Sequence, residues 1–488
     1  MHLEKLYRVL VLANVLFFSS YSQAQTVVDL SINNIFQRLE RVSFDYQLAV
    51  LETKILESQR ESLLGVYDPT LNTQLGYQLD ASDPVNAVFG TRNDTLSYTA
   101  NVQKNFKYGT SVEFGFLGSS QSSNSPFVAL DPAIDNQWYL KLRQSLWKNG
   151  LGGNIIREIK ALENRTEGSK ILSQRRKEML LASILLSIVQ LEYSNSEQLI
   201  LSQAYQRALD LYDNTEKRRR LGVANKSDVM ASSANTLTRE QNLQQSDSQY
   251  SNACRELLYL LAYNLDQYQC KRNNSLDVKI WQYLEQSKPD AQHGELIKIE
   301  KDILAQQLIV ETFKNRLKPD LNLILELASN GVNDDWAASF KESLSVSNPN
   351  FFAGIELSVP LGNKKNKNDL KREKIINDQL KLQLQRLQLM IEKDYLNAYQ
   401  NYKGYKKQWE LSLKQVDIEE KKLKEKDNDF KIGRAEIADV ILYQQDVLSA
   451  QLNVKRNETQ MHIAMINKAL AEGSLLNLLK EAQNRNKQ

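Results

Sequence analysis

The sequence contains few residues that break helices, with 8 prolines and 18 glycines in 488 residues. Average usage is about 5% proline and about 7% glycine. A chain of this length would ordinarily form about three domains, which would need more breaks than these residues supply. The composition therefore favours long uninterrupted helices.

Other absences exclude whole classes of protein. No apolar run of about 18 residues or more occurs, which excludes a membrane protein built on spanning helices. The formal net charge of +3 gives nucleic-acid binding no electrostatic support. No P-loop, G-x-S-x-G or HExxH motif is present. The sequence therefore predicts no enzymatic activity and no cofactor.

The first 24 residues are typical of a secretory signal peptide. Lys5 and Arg8 supply a basic start, and Val9–Phe18 is an apolar stretch too short to span a membrane. Ser22–Ala24 offers small residues before a cleavage site. We therefore expect an exported chain that resides in the periplasm or the outer membrane.

Export also bears on the cysteines and histidines. An oxidising compartment permits a disulfide between Cys254 and Cys270, and two free thiols are the alternative. The two histidines beyond the signal, His293 and His462, lie in no recognisable motif and are predicted to be surface residues. Two cysteines without a nearby histidine do not make a zinc site, so no metal is predicted.

Short motifs that occur twice in the same order indicate an internal two-fold repeat. Both copies have a hydrophobic-glycine pair with an aspartate six residues after the glycine, namely Leu221-Gly222 with Asp228 and Ile432-Gly433 with Asp439. A proline precedes the first strand-like segment of each copy, at Pro69 and Pro319. We place the first repeat at 25–265, a linker or equatorial segment at 266–290, the second repeat at 291–479 and a polar tail at 480–488.

Alternating apolar and polar residues predict about four strands within 70–147 and two within 320–360. Segments near ten residues match the length that a tilted strand needs to cross a bilayer. The tight turn Lys107–Thr110 and the long loops Asp80–Asp94 and Ser119–Asn136 are typical of an outer-membrane barrel. A soluble sheet packed on helices is the alternative.

Two helical hairpins are predicted, at 154–262 with a turn at 217–226 and at 364–479 with a turn at 427–436. The first helix of each contains no proline and one glycine, and would reach about 100 Å. Two apolar rows would let such a helix pack on both sides, as the wall of a cylinder requires, whereas an ordinary coiled coil needs one. Candidate rows are Leu181, Ile184, Leu185, Ile188 and Leu191; Leu380, Leu384, Leu387 and Ile391; and Leu382 with Leu389.

With these features the chain resembles the TolC-type outer membrane efflux proteins. The resemblance is carried by the duplicated turns, by the prolines before the strands and by the strand-to-helix segments Ser145–Gly150 and Ser358–Gly362. It implies a mainly α fold with β, in which long antiparallel helical hairpins form an α-barrel. A transmembrane β-barrel would be completed by trimerisation. The family supplies four strands per protomer, so six imply eighteen strands, or twelve if the Lys107–Thr110 hairpin packs elsewhere.

The resemblance also implies functional residues. The turns would form the periplasmic mouth and contact an adaptor protein through Leu221, Gly222, Val223, Ala224, Ile432, Gly433, Arg434 and Ala435. Asp439 matches an acidic residue that lines the closed mouth, whereas Leu442 stands where the family has a second acid, so a single ring is expected. Asp228 is the corresponding pore-gate candidate in the first hairpin, and an ordinary acidic residue at a helix start is the alternative.

The function implied is a passive exit duct of a tripartite efflux or type I secretion system. Its partners would be two further copies of the chain, a periplasmic adaptor (membrane fusion protein), an inner-membrane transporter and outer-membrane lipid. The sequence does not distinguish drug efflux from protein secretion, and no Met- or His-rich stretch supports metal efflux. The alternative is a periplasmic coiled-coil scaffold or adaptor with a small soluble β-domain.

Overall fold

The computed structural model describes residues 26–28, 30–82, 88, 90–270, 278–287 and 293–485. The predicted signal peptide, parts of the predicted linker and the end of the predicted tail lie outside these ranges. The described chain is mainly helical and contains one large sheet, as the sequence predicts.

Helices make up most of the described residues. In chain order they are α1 (Ile32–Arg41), α2 (Phe44–Leu64), α3 (Gly153–Arg220), α4 (Lys226–Leu260), α5 (Val278–Glu285), α6 (Gly294–Arg316), α7 (Trp336–Leu344), α8 (Lys364–Lys431), α9 (Ile437–Ala471) and α10 (Leu475–Arg485). The helices α3 and α8 each have 68 residues. Each is followed by a short turn and a 35-residue return helix.

The strands are β1 (Thr26–Val27), β2 (Thr70–Asp80), β3 (Asn93–Asn105), β4 (Thr110–Ser123), β5 (Ala133–Ser145), β6 (Tyr268–Gln269), β7 (Asp320–Asn333) and β8 (Pro349–Ser358). A six-stranded sheet has the order β2-β3-β4-β5-β7-β8, and every adjacent pair in it is antiparallel. The short strands β1 and β6 form a separate parallel pair. The hairpin at Lys107–Thr110 joins β3 to β4, so it belongs to the large sheet.

The chain divides into two compact units. The helical unit comprises Met1–Val50, Leu172–Gly294 and Leu387–Gln488. The sheet unit comprises Leu51–Ile171 and Glu295–Arg386, and it contains the six-stranded sheet. No helix among the described residues is both long and apolar enough to cross a membrane.

The core of the helical unit is built on an apolar stripe of α3. Leu181, Ile184, Leu185 and Ile188 follow the spacing that puts side chains on one helix face, and all are fully buried. They belong to a cluster with residues from α1, α4, α5, α9 and α10. The disulfide between Cys254 and Cys270 lies in the same cluster, with Cα atoms 5.8 Å apart. The two cysteines are 16 residues apart in sequence. A disulfide that closes a loop of this length stabilises the folded state by about 3 kcal/mol, because it lowers the conformational entropy of the unfolded chain.

The second hairpin ends earlier than its sequence suggests. A return helix was predicted as far as Leu479, but α9 ends at Ala471 because Gly473 adopts φ = 70°. The N–H groups of Gly473 and Ser474 then donate to the carbonyls of Leu470 and Ala469, which closes the helix end. A separate helix, α10, follows and covers the start of the predicted tail. Likewise, α5 lies inside the predicted linker.

A polar contact attaches α5 to α8. The Tyr402 hydroxyl and the Lys406 ammonium donate to Glu285 Oε1 at 2.6 and 2.7 Å. The hydrogen bonds from Lys406 and then Tyr402 lower the pKa of the Glu285 carboxyl below its ordinary value of 4.5. Because the folded pKa is the lower one, this contact stabilises the unit above about pH 4.5 and is lost as the pH falls through the folded pKa.

We therefore expect the backbone amides of α5 to lose protection from hydrogen exchange as the pH falls below about 4.5, the unfolded pKa of Glu285. Glu285→Gln is expected to remove this pH dependence while lowering protection at neutral pH. Exchange rates of α5, corrected for the intrinsic effect of pH, check the expectation. A wild-type α5 whose protection does not change across this range would contradict it.

Candidate functional site at the two helical turns

The first turn, Leu221–Ala224, closes the hairpin of α3 and α4. Gly222 adopts φ = 77°, a left-handed conformation that favours glycine. The Gly222 N–H donates to the Arg219 carbonyl at 3.0 Å, and the Val223 N–H donates to the Arg218 carbonyl at 2.9 Å. This pair of hydrogen bonds is the Schellman motif that ends many helices. Leu221 and Val223 are left exposed.

The second turn, Ile432–Ala435, repeats this geometry between α8 and α9. Gly433 has φ = 78°, and its N–H donates to the Phe430 carbonyl at 3.1 Å. The Arg434 N–H donates to the Asp429 carbonyl at 2.8 Å. A Cβ added at Gly433 would meet no atom within 4 Å, so the space around the turn is open. Both turns thus present exposed backbone of the same shape.

Arg218 connects the two hairpins near their turns. Its Nη1 donates to the Phe430 carbonyl at 2.7 Å, and its guanidinium lies 4.5 Å from the centre of the Phe430 ring. Leu211, Ile437 and Val440 pack beside this contact. Sequence reasoning missed Arg218, although the four basic residues that end α3 were a signal for a partner of helix carbonyls.

The Asp228 carboxylate accepts a hydrogen bond from a residue close to it in sequence. It is in the first turn of α4, and its Oδ2 accepts a hydrogen bond at 2.9 Å from the N–H of Asn225, the residue that precedes the helix. A carboxylate three residues into a helix that accepts from the N-cap N–H forms half of a capping box. This contact gives Asp228 a structural role at the helix start.

Asp439 occupies the equivalent place on α9 but has a different partner. Its Oδ2 lies 3.7 Å from Lys426 Nζ on α8, and its side chain is about half exposed. Lys426 also lies 5.5 Å from the centre of the Tyr443 ring. A half-exposed carboxylate held at this distance remains available to cations. The two predicted gate residues therefore have different partners, a backbone N–H for Asp228 and the Lys426 ammonium for Asp439.

An open cavity of about 550 Å³ lies between α3, α8 and α9 close to the turns. Its charged lining consists of four basic residues and two acidic ones, namely Arg207, Lys217, Arg218, Lys431, Asp210 and Asp427. Burial raises the pKa of Asp427, an effect that Lys431 and Arg207 oppose, and burial lowers the pKa of Arg207. Within the described part of the chain, Arg207 Nε and Nη2 are buried without a hydrogen-bond partner. The cavity therefore suits a carboxylate or another anion.

The histidines lie away from the turns. The prediction that His462 is a surface residue was wrong, because its ring stacks on Trp281 at 3.8 Å between centroids. Burial lowers the pKa of His462 to about 4. The same prediction was wrong for His293, which is buried with 5% of its surface exposed. In the described ranges, no group of three or more His, Cys, Asp or Glu residues is arranged to hold a metal ion.

No protein-family model and no curated protein matches the sequence. Several solved structures do match at the level of the backbone. The outer membrane channel CmeC of Campylobacter jejuni matches with a TM-score of 0.66 at 12% identity, over 95% of this chain and 93% of that one. The outer membrane protein VceC of Vibrio cholerae matches with a TM-score of 0.67 at 13% identity, over 91% and 96%.

CusC, which forms a transmembrane channel, matches with a TM-score of 0.70 at 12% identity, over 93% of this chain and 95% of that one. The chain has the fold of the outer-membrane channels. The resemblance that the sequence motifs indicate is thus confirmed at the level of the fold. In each comparison the match covers more than nine-tenths of both proteins. The two hairpins and the sheet are therefore all elements of this fold.

Proposed function

We propose that the chain is one protomer of a trimeric exit duct in the outer membrane. It conducts substrates passively from a periplasmic adaptor and an inner-membrane transporter to the outside, and it hydrolyses nothing. The observation that carries this proposal is a sheet with one exposed apolar face, one polar face and two unpaired edges. The fold shared with outer-membrane channels supports it.

The two faces of the sheet are visible in adjacent rows of its register. One row crosses all six strands through apolar residues whose side chains are all exposed: Leu71, Val102, Phe114, Leu140, Leu327 and Phe351. The next row crosses them on the opposite face through Thr70, Gln103, Glu113, Lys141, Glu326 and Phe352. An exposed apolar row of this extent fits lipid, and the polar row fits a water-filled lumen.

The cross-strand ion pairs nearest the apolar row lie on the opposite face, and the charged residues Lys104 and Asp94 of the apolar face lie near the two ends of β3. On the polar face Lys141 lies 3.4 Å from Glu326, and Arg143 lies 2.9 Å from Glu356. Such groups facing the middle of a bilayer would cost about 2–4 kcal/mol for each basic residue. Their position on the face opposite the apolar row supports a lumen there.

The edges of the sheet explain why copies would assemble. Among the described residues, strands β2 and β8 each pair on one side only. Unpaired backbone groups in lipid cost several kcal/mol each. Six strands alternating in direction leave β2 and β8 antiparallel, so β2 of one copy extends the ladder beside β8 of the next. Three copies then close an eighteen-stranded barrel.

The helices have an unpartnered row as well. Of the two rows predicted on α8, Leu387 is buried, whereas Leu382 and Leu389 are about two-thirds exposed. A helix that carries an exposed leucine row seven residues apart is suited to a second packing partner. We assign that partner to a neighbouring copy, in an α-barrel continuous with the proposed trimer.

At the two turns we propose contact with the adaptor. The exposed residues Leu221, Val223 and Ile432 supply apolar surface, and the left-handed glycines Gly222 and Gly433 let a partner backbone approach closely. The cationic cavity beside the turns supplies a place for an acidic side chain of that partner.

We assign the cation-binding gate to Asp439 and expect Asp439→Asn to change the pore. Loss of three carboxylates that converge in a narrow mouth should weaken block by divalent cations and lower cation selectivity. Single-channel recordings in planar bilayers, with the reversal potential measured in a salt gradient, check this. Asp228→Asn is the matched control, because an amide oxygen can still accept from the Asn225 N–H and the pore should be unchanged. Equal block in wild type and Asp439→Asn would contradict the assignment.

A further inference from the structure

Helix α7 was not predicted from the sequence, and it lies on a face of the sheet. It connects β7 to β8 and packs on the apolar face at β5 and β7. The Phe340 ring lies 5.6 Å from that of Phe116 and 6.1 Å from that of Trp138, two residues of that face. The ring of Trp336 stacks on Phe340 at 5.0 Å.

Two glycines leave the space that α7 and the neighbouring Tyr98 ring occupy. The register aligns Tyr98, Gly118, Asn136 and Gly331 in one row across β3, β4, β5 and β7. A Cβ on Gly331 would lie 2.3 Å from the Ser339 carbonyl oxygen, and one on Gly118 would lie 2.1 Å from the Tyr98 ring. Larger residues at either position would displace the helix or the ring against which it rests.

A hydrogen-bond network fixes α7 to that row. The Ser339 hydroxyl donates to the Gly331 carbonyl at 2.6 Å and accepts from Asn136 N–H and Nδ2 at 3.2 and 3.0 Å. Trp336 Nε1 donates to the Tyr98 hydroxyl at 2.8 Å, and that hydroxyl donates to Asn136 Oδ1 at 2.7 Å. Ser339 and Asn136 are both fully buried. The helix is therefore a fixed part of the sheet unit.

On β4 and β7 the apolar face ends at the row under α7, whereas on β2 and β3 it continues to Leu79 and Leu96. The row under α7 is four residues further along each strand than the apolar row, or about 13 Å. Beyond it the same face turns polar on β4 and β7, at Ser120, Ser122 and Asn333. Aromatic residues gather at this level, as they do at the membrane–water boundary of membrane proteins.

The outward surface of α7 and the residues that follow it suits that boundary. Trp336, Leu344 and Val346 are each about half exposed, and Lys341 is exposed beside them. Asp334, Asp335 and Glu342 are exposed as well. Apolar and aromatic groups together with charges of both signs suit the headgroup region of a membrane, where lipids carry charges of both signs. Ring contacts lead from Trp336 through Phe340 and Trp138 to Phe114, a member of the apolar row.

We propose that α7 is an interfacial helix that binds lipid headgroups at one surface of the bilayer. In this arrangement Trp336, Leu344 and Val346 enter the acyl boundary, and Lys341 pairs with headgroup phosphates. The inference rests on the proposed membrane location of the sheet. It adds a lipid-binding surface that sets the depth of the sheet in the bilayer.

Nitroxide spin labels on single introduced cysteines test the depth of α7, since both native cysteines are in the disulfide. The three labelled variants are Ala337→Cys on α7, Leu140→Cys in the apolar row and Gln74→Cys on the polar face of β2. The protein is folded into vesicles of phosphatidylcholine with added phosphatidylglycerol. Collision rates with oxygen and with a water-soluble nickel chelate then give the depth of each label.

We expect the label at 140 to be deep in lipid, the label at 337 to lie at headgroup depth and the label at 74 to be accessible to nickel. If the label at 140 lies in lipid but the label at 337 is as accessible to nickel as the label at 74, the proposed role of α7 is overturned. The proposed membrane location of the sheet is not affected by that result. A label at 140 that is nickel-accessible would overturn the proposed membrane location itself.

Discussion

Proline in the edge strand β8 is expected to dissociate the oligomer. Successive N–H groups of a strand point to opposite sides, so one of the adjacent residues Ile355 and Glu356 directs its N–H toward β7 and the other away from it. The variant that removes the outward N–H leaves a partner carbonyl without a hydrogen bond in lipid, at a cost of several kcal/mol at each of three interfaces. Detergent-resistant trimers on unheated gels should disappear in that variant.

Threonine at the same positions is the matched control, because it keeps the N–H and favours a strand. Ile355→Thr and Glu356→Thr should retain trimers. Circular dichroism shows whether each proline variant keeps its helices, which separates failed assembly from failed folding. Stable trimers in both proline variants would mean that β8 does not pair with another copy.

An arginine in the apolar row is expected to have the second large effect. Val102→Arg puts a charge on the exposed apolar face of β3, and Gln103→Arg puts the same charge one residue further on the polar face. For a lipid-facing residue near the middle of the bilayer the cost is about 2–4 kcal/mol per chain. The Gln103 variant should lose less than about 1 kcal/mol, because its side chain meets water.

Urea titration of the protein folded into vesicles measures both variants as differences in the free energy of unfolding. Both variants gain the same charge at adjacent positions of one strand. A difference between their free energies of unfolding therefore reports the face of the sheet on which each residue lies. Equal losses in the two variants, or a larger loss for Gln103→Arg, would contradict the assignment of the faces.

Much of the fold could be predicted from the sequence because its signals are periodic. Alternation every second residue located all six strands of the large sheet, and the scarcity of proline and glycine indicated the long helices α3 and α8. The turns at Gly222 and Gly433 were readable because a helix that reverses sharply needs a left-handed residue. These signals are local, so one sequence is sufficient to detect them.

Features set by distant residues could not be predicted. Helix α7 has only nine residues, and its position depends on Gly118 and Gly331, which read in sequence as ordinary strand glycines. The contact between Arg218 and Phe430 joins residues from different repeats, and nothing in α3 indicates which of its terminal basic residues makes it. His462 was predicted to be a surface residue because it lies in no motif, and the ring that covers it, Trp281, lies far away in sequence.

The candidate gate residues illustrate the same limit. Asp228 and Asp439 hold equivalent places in the two repeats, yet one accepts from a backbone N–H and the other faces Lys426. The spacing from the glycine is the same in both, so the sequence motif cannot separate them. The contact of Asp228 with the Asn225 N–H supports the alternative given for it, an acidic residue at a helix start. The Lys426 partner of Asp439 is visible only in three dimensions.

The central claim is that the six-stranded sheet of one chain cannot close on itself and must be completed by other copies. The protein mass of the folded particle, purified in detergent and measured by native mass spectrometry, tests this most directly. We expect a particle with three times the protomer mass. A folded, stable particle with the mass of a single chain would contradict this claim.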